Sequence, residues 1–187
     1  MKKSLLGTIL LLSLASGAST IVRKLSEIKK EKKSDKKEVT TNKKTIVLPP
    51  AQFPLPKDSQ WSYLDNGSDQ GATGWNQVSF DNSSWATGQG PLGYGDPMRT
   101  VISYGPSASN KYITYYFSRD IQIDLSQVAD FVEFGLRRDD GAVVYVNGVE
   151  VFRSNMPAGP ITYLTNSASI VDGADEKRYF STYLPKS

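Results

Sequence analysis

Ala142-Val143-Val144-Tyr145-Val146-Asn147-Gly148-Val149-Glu150-Val151-Phe152 is the stretch that decides the fold. β-Branched and aromatic residues run up to Asn147-Gly148 and resume after it, and Asn-Gly is the pair that accepts positive φ at both central positions of a type I′ turn. A tight two-residue β-hairpin is therefore predicted. Outward from it the same period of two recurs. Ile113, Tyr115, Phe117, Ile121, Ile123 and Leu125 stand at odd positions, and Val132, Phe134 and Leu136 at even ones, so each run offers one apolar face. From Trp61 onward no stretch sustains a helical period for three turns, and Gly, Asn, Asp and Pro clusters separate the apolar runs. The fold is expected to be all-β.

At 187 residues the chain supports one domain with extensions. It contains no histidine and no cysteine. A Ser-His-Asp triad, a His-ligated metal and an imidazole general base are thereby excluded, and no disulfide supports the fold. An enzyme is not expected. The net charge of +3 conceals segments of opposite sign: 23–44 carry ten basic and four acidic residues, whereas everything from 45 onward carries ten basic and fifteen acidic. The body is acidic, so no nucleic acid partner is expected for it.

Residues 1–18 read as a signal peptide, with Lys2-Lys3 as the charged start, Leu5 to Leu14 as the apolar stretch and Ser16-Gly17-Ala18 as the small-residue cleavage site. The competing reading is a retained anchor from Ser4 to Val22, but Ser13, Ser16, Gly17, Ser19 and Thr20 make its second half too polar for a good span. Cleavage is favoured, leaving no membrane span and a secreted or cell-surface protein. Residues 19–56 then form a basic, disordered tether ended by Pro49-Pro50, Pro54 and Pro56. Its lysines offer a weak attraction to anionic cell-wall polymer. Residues 57–187 make up the folded module.

Within that module three strings occur in unbroken order. They are Trp75…Phe80-Asp81…Trp85…Gly88…Pro91-Leu92-Gly93-Tyr94-Gly95-Asp96, then Lys111 to Phe117, then Arg138-Asp139-Asp140-Gly141-Ala142-Val143-Val144-Tyr145-Val146-Asn147-Gly148…Arg153…Asn155-Met156-Pro157. Together they resemble the galactose-binding-domain-like jelly rolls of bacterial secreted multidomain proteins, the kind appended to metallophosphoesterases and lamin-tail surface proteins. The resemblance implies a jelly-roll β-sandwich that binds polysaccharide or another glycan without chemistry of its own. Such modules continue past the equivalent of Leu184-Pro185 into a further apolar strand, so the resemblance also implies a sandwich lacking its last strand, with an open sheet edge. An alternative role is that of a structural or docking domain of a larger secreted hydrolase such as a metallophosphoesterase.

Candidate ligand residues cluster around the hairpin. Asp139 and Asp140 could accept sugar hydroxyls, Arg137, Arg138 and Arg153 offer planar donor forks, and Tyr145 and Asn155 flank them. The competing reading is a turn with an ion-pair network. A hydrolase built on Asp139 and Asp140 is disfavoured, since adjacent residues cannot readily take up the roughly 5 to 9.5 Å carboxylate spacing of glycoside hydrolysis. Asp65-Asn66-Gly67-Ser68-Asp69 is rich in hard oxygen donors, which makes Asp65 and Asp69 candidate ligands of a structural calcium, although the EF-hand spacing is incomplete. Trp61, Trp75 and Trp85 are expected to be core or loop anchors before sugar platforms, and Tyr94, Tyr104 and Tyr112 to be the more exposed stackers.

Overall fold

The computed structural model describes residues 7–15, 55–122 and 131–185. The tether reading of 19–56 falls almost wholly outside them, as do both ends of the signal reading, Ile123 and Leu125. The described chain forms ten strands: β1 (Gly7–Ala15), β2 (Gln60–Leu64), β3 (Ala86–Gln89), β4 (Leu92–Gly93), β5 (Thr100–Val101), β6 (Thr114–Gln122), β7 (Phe131–Leu136), β8 (Gly141–Val146), β9 (Val149–Ser154) and β10 (Phe180–Pro185). One 3-10 turn, Asp175–Lys177, is the sole helical element among the described residues. No described helix is long and apolar enough to cross a membrane. The protein is all-β.

Six strands form one sheet in the order β3-β2-β6-β1-β8-β9, and β10 with β7 and β4 with β5 form two small ones. The hairpin is as its sequence dictates. Asn147 and Gly148 take φ of 51° and 83°, Val146 faces Val149, and the chain returns antiparallel. Tyr145 then faces Glu150 while Val144 faces Phe152, so Val151 is the extra residue of a bulge. The bulge re-aims the far end of β9 and brings Ser154 opposite Ala142.

Two apolar clusters hold the sheets. The larger takes Tyr115 and Phe117 from β6, Ala142 and Val144 from β8, Phe134 and Leu136 from β7, and Ile102. Both the six-stranded sheet and the β7–β10 pair contribute to it, with Leu184 of β10 packed at its margin. The odd-position face of β6 and the even-position face of β7 are thus core faces. The second cluster lies on the other side of β6 and joins Trp75, Trp85 and Tyr116, with Trp75 edge-on to Tyr116 at a ring-centroid distance of 4.9 Å. Because β6 and β8 have apolar groups on both faces, the sheet is covered on two sides along its middle strands.

The middle strand between them is β1. It lies parallel to both, aligned from Gly7 with Thr114 to Ala15 with Gln122 on one side and from Gly7 with Gly141 to Leu12 with Val146 on the other. Gly7–Ala15, which overlaps most of the apolar stretch Leu5 to Leu14 read from sequence as part of a leader, therefore sits in the middle of the six-stranded sheet. Its neighbours β6 and β8 carry apolar groups on both faces, and a place between such strands favours a mostly apolar run, as Gly7–Ala15 is.

Candidate functional site

The loop that leads into β8 is a polar knot. Arg138 is buried; its Nε donates to Ser154 Oγ at 2.9 Å and its Nη1 to the Asp140 carbonyl at 2.6 Å, and its guanidinium lies 4.1 Å from the centroid of the Phe180 ring. Burial lowers its pKa while Asp140, Asp175 and Asp139 act to raise it. Asp140 is 1% exposed, and its Oδ1 accepts the Val171 N–H at 2.6 Å. Asn155, at a φ of 53°, donates to the carbonyls of Asp140 and Ser169 and accepts from the Ser169 hydroxyl. Gly141 is required here by close approach, since a Cβ would lie 2.7 Å from the Asn155 carbonyl oxygen.

The six candidate residues of this neighbourhood are brought together only in part. Asp140 and Asn155 share the knot. Arg153 stands apart, because alternation along β9 turns it away from Ser154. Its Nε and Nη2 grip the two Glu150 carboxylate oxygens at 2.7 Å each, and its Nη1 donates to the carbonyls of Pro157 and Gly159. Arg137 donates to the Glu176 carbonyl at 2.7 Å and lies 3.7 Å from Asp96. Tyr145 packs edge-on to Trp75 with centroids 5.7 Å apart, and burial pushes its phenol pKa up. Asp139 alone of the six is exposed without being drawn into the core. Arg138, which the sequence offered as a donor fork, instead spends its guanidinium inside the knot, where it is paired with Ser154, a residue the sequence did not single out.

Asp65 and Asp69 each cap a loop. Asp65 Oδ2 accepts the Ser103 N–H at 2.6 Å, and Asp69 Oδ1 accepts the Gly71 N–H at 2.8 Å. Among the described residues no group of three or more His, Cys, Asp or Glu side chains converges in a way that could hold a metal ion. Trp75 and Trp85 are buried and Trp61 packs against the larger cluster, as core anchors do. Tyr104 is exposed, whereas Tyr94 and Tyr112 are half-buried. Tyr94 lies against Tyr104 and Tyr115, with Lys111 4.8 Å from its ring centroid, and burial pushes its phenol pKa up.

A second polar site lies across β2, β3 and β6. Thr87 faces Ser62, and Ser62 faces Ser118, so three hydroxyl residues stand in one row on one face of the sheet. Around them Gln60, Asn82, Arg119 and Asp120 complete an open cavity of about 220 Å³, with Trp61 at its wall. Asn82 is fixed by an Nδ2 bond to Ser118 Oγ at 3.0 Å. Arg119 is held by its Nη1 on the Gln60 carbonyl, while its Nε is buried with no hydrogen-bond partner. Sequence reasoning passed over these residues, although one signal was there: Ser118 and Asp120 continue the even positions of β6 opposite its odd-numbered apolar face, and β2 repeats the pattern with Gln60 and Ser62. Comparison with protein-family models, curated proteins and solved structures returned no match.

Proposed function

We propose that the chain is an exported, non-catalytic carbohydrate-binding module with a jelly-roll β-sandwich body, and that its ligand site is the cavity across β2, β3 and β6. The observation that carries this reading is the chemistry of that cavity. Residues that carry three hydroxyls, two amides, a guanidinium and a carboxylate line one small open space, and this mixture of donors and acceptors matches a ring that carries several hydroxyls. At about 220 Å³ it falls below the roughly 300 Å³ at which drug-sized sites begin, which suits one sugar unit of a longer chain. The leader pattern of residues 1–18 supports export to the cell surface, and the shared core of two sheets supports the sandwich.

The docking alternative draws on a different surface. Phe131 and Tyr183 stand 59% and 68% exposed on the β7–β10 pair, apolar groups that a catalytic neighbour could cover. Retention of the full chain on immobilised polysaccharides separates the two. Binding that falls about tenfold in Asn82→Ala and again in Asp120→Ala, at unchanged stability, is the expected result. Retention on a glycan that neither substitution alters would remove the cavity as the site, and no retention on any glycan would favour docking.

A further inference from the structure

Alternation sorts the two charged residues that line the β2–β3–β6 cavity onto opposite faces of the sheet. On β6 the odd positions Tyr115 and Phe117 belong to the larger core cluster and Ile121 packs against it, so Arg119 stands on that face as well. Ser118 and Asp120 stand on the other face, where Ser62 and Thr87 lie in register beside Ser118. Arg119 is the only cation among the described residues of the lining, and its Nη1 already donates to the Gln60 carbonyl. Asp120 is the only anion among them. Ser118 is 3% exposed and holds the Asn82 amide, whereas Asp120, one same-face step or about 6.6 Å further along the strand, is exposed. A ligand seated on the hydroxyl row therefore lies beside a carboxylate. Asp81 adds a second one next to Asn82, on the loop that reaches over Ser118. Bonds from the Ser83 N–H and hydroxyl hold its carboxyl below the usual carboxylate range, so it is charged at neutral pH.

We propose that the cavity selects glycan units without negative charge, and that Asp120 sets this choice by accepting from ring hydroxyls and repelling carboxylate, sulfate or phosphate substituents. The proposal rests on the carbohydrate reading of the cavity. An ionised carboxylate only accepts hydrogen bonds. A sugar hydroxyl can donate to it, and a bond to a charged acceptor is stronger than one between neutral groups. The carboxylate of a uronate brings no proton to that place and carries the same charge, so the contact that rewards one ligand penalises the other. The remaining lining does not discriminate. Hydroxyls of Ser62, Ser118 and Thr87 and amides of Gln60 and Asn82 both donate and accept, and serve either ligand. Arg119 cannot reverse the preference from the opposite face, with its fork engaged on Gln60. The surrounding field has the same sign, since the chain from residue 45 onward carries ten basic and fifteen acidic residues. Only the lysine-rich stretch 23–44 attracts polyanions, and it does so without regard to the cavity.

The test passes the full chain, Asn82→Ala and Asp120→Asn over two sets of immobilised polysaccharides: a neutral galactan, glucan and xylan, and the acidic polygalacturonate and alginate. The lysines are the same in all three proteins, so the effect of Asn82→Ala isolates the retention that runs through the cavity. On at least one neutral column it is expected to lower retention about tenfold, and on the acidic columns to leave it unaltered. Asp120→Asn keeps the shape of the side chain and one acceptor oxygen but removes the charge. It is expected to raise retention on the acidic columns about fivefold, the effect of one like charge at contact distance in water, and a second substitution at Asn82 should abolish that gain. Retention of the unsubstituted chain on polygalacturonate or alginate that Asn82→Ala lowers would overturn the proposal and leave the carbohydrate reading standing. Unaltered retention of Asp120→Asn on both acidic columns, at an unchanged melting temperature, would overturn it too. Should Asp120→Asn melt early, the comparison of Asn82→Ala with the unsubstituted chain decides alone. If Asn82→Ala alters retention on no column, the carbohydrate reading itself falls and takes this inference with it.

Discussion

The edge of β8 that meets β9 is closed by its neighbour in sequence, whereas the edge that meets β1 is closed by a segment from the far N-terminus. At the first edge the pairing is antiparallel and its register is set by two residues, Asn147 and Gly148, whose positive φ values only a few residue types accept. At the second edge nothing local sets the partner. The pairing is parallel, and what the position demands is an uncharged strand that tolerates apolar surroundings on both sides. One edge is specified by conformation and the other by composition, and a compositional demand can be met by more than one strand.

The largest effect is expected where β8 begins, because the knot there supports both edges. Asp140→Ala removes the acceptor of the buried Val171 N–H and the carboxylate beside buried Arg138. Leaving that donor unsatisfied and that cation with only Asp175 and Asp139 as countercharges should cost about 2 kcal/mol, read as a drop in the urea midpoint. An unchanged midpoint would mean that β8 keeps its place without the knot, and the contrast between its edges would then have to be drawn from the turn alone.

Alkali tests the core face of β6 beside that second edge. Burial pushes the Tyr115 phenol from its ordinary value near 10 up to about 12, and it raises Tyr94 beside it as well. A phenol whose pKa is higher when folded stabilises the fold fully below the unfolded value, and the contribution is lost as pH rises through the folded one. Melting temperatures should therefore hold to about pH 9 and fall steeply between pH 10 and 12. Tyr115→Phe should flatten that fall. A fall equally steep in the variant would place the alkaline transition outside that face of β6.

The hairpin and the core faces were legible because each depends on residues close in sequence. Asn147-Gly148 announces a turn, the odd positions of β6 announce a face, and Trp75 and Trp85 are too large and apolar to stay outside. The polar cavity was not legible from one strand, since Thr87, Ser62 and Ser118 become a row only when three strands are in register. Arg153 was misplaced beside the Asp pair for a related reason: the bulge at Val151 and the alternation along β9 decide which way it faces. Gly148→Ala measures the local part directly. A Cβ at a φ of 83° is strained, and the Gln77 side chain it would meet at 2.6 Å can swing away, so a loss of about 1 kcal/mol is expected. A loss of 3 kcal/mol or more would show that the turn also fixes the opposite edge of β8.

The smallest effect belongs to Arg153, at the far end of the same hairpin. Its forked bond to Glu150 spans three residues on β9, with side chains 22% and 33% exposed, and two further bonds reach the carbonyls of Pro157 and Gly159 in the loop that follows. Partly exposed ion pairs of this kind contribute about 0.5 kcal/mol, and the loop carbonyls can turn to water when the guanidinium is removed. Arg153→Ala should accordingly lower stability by less than about 1 kcal/mol and leave retention on a glycan unaltered, because the cavity across β2, β3 and β6 contains no atom of it. A double-mutant cycle with Glu150→Ala isolates the pair. Coupling near 0.5 kcal/mol fits a hairpin already fixed by its turn, with the ion pair fastening only the loop beyond it. Coupling of 2 kcal/mol or more would mean that the β9 edge depends on side-chain chemistry remote from Asn147-Gly148, and the local edge of β8 would then be specified in the same distributed way as the edge that receives β1.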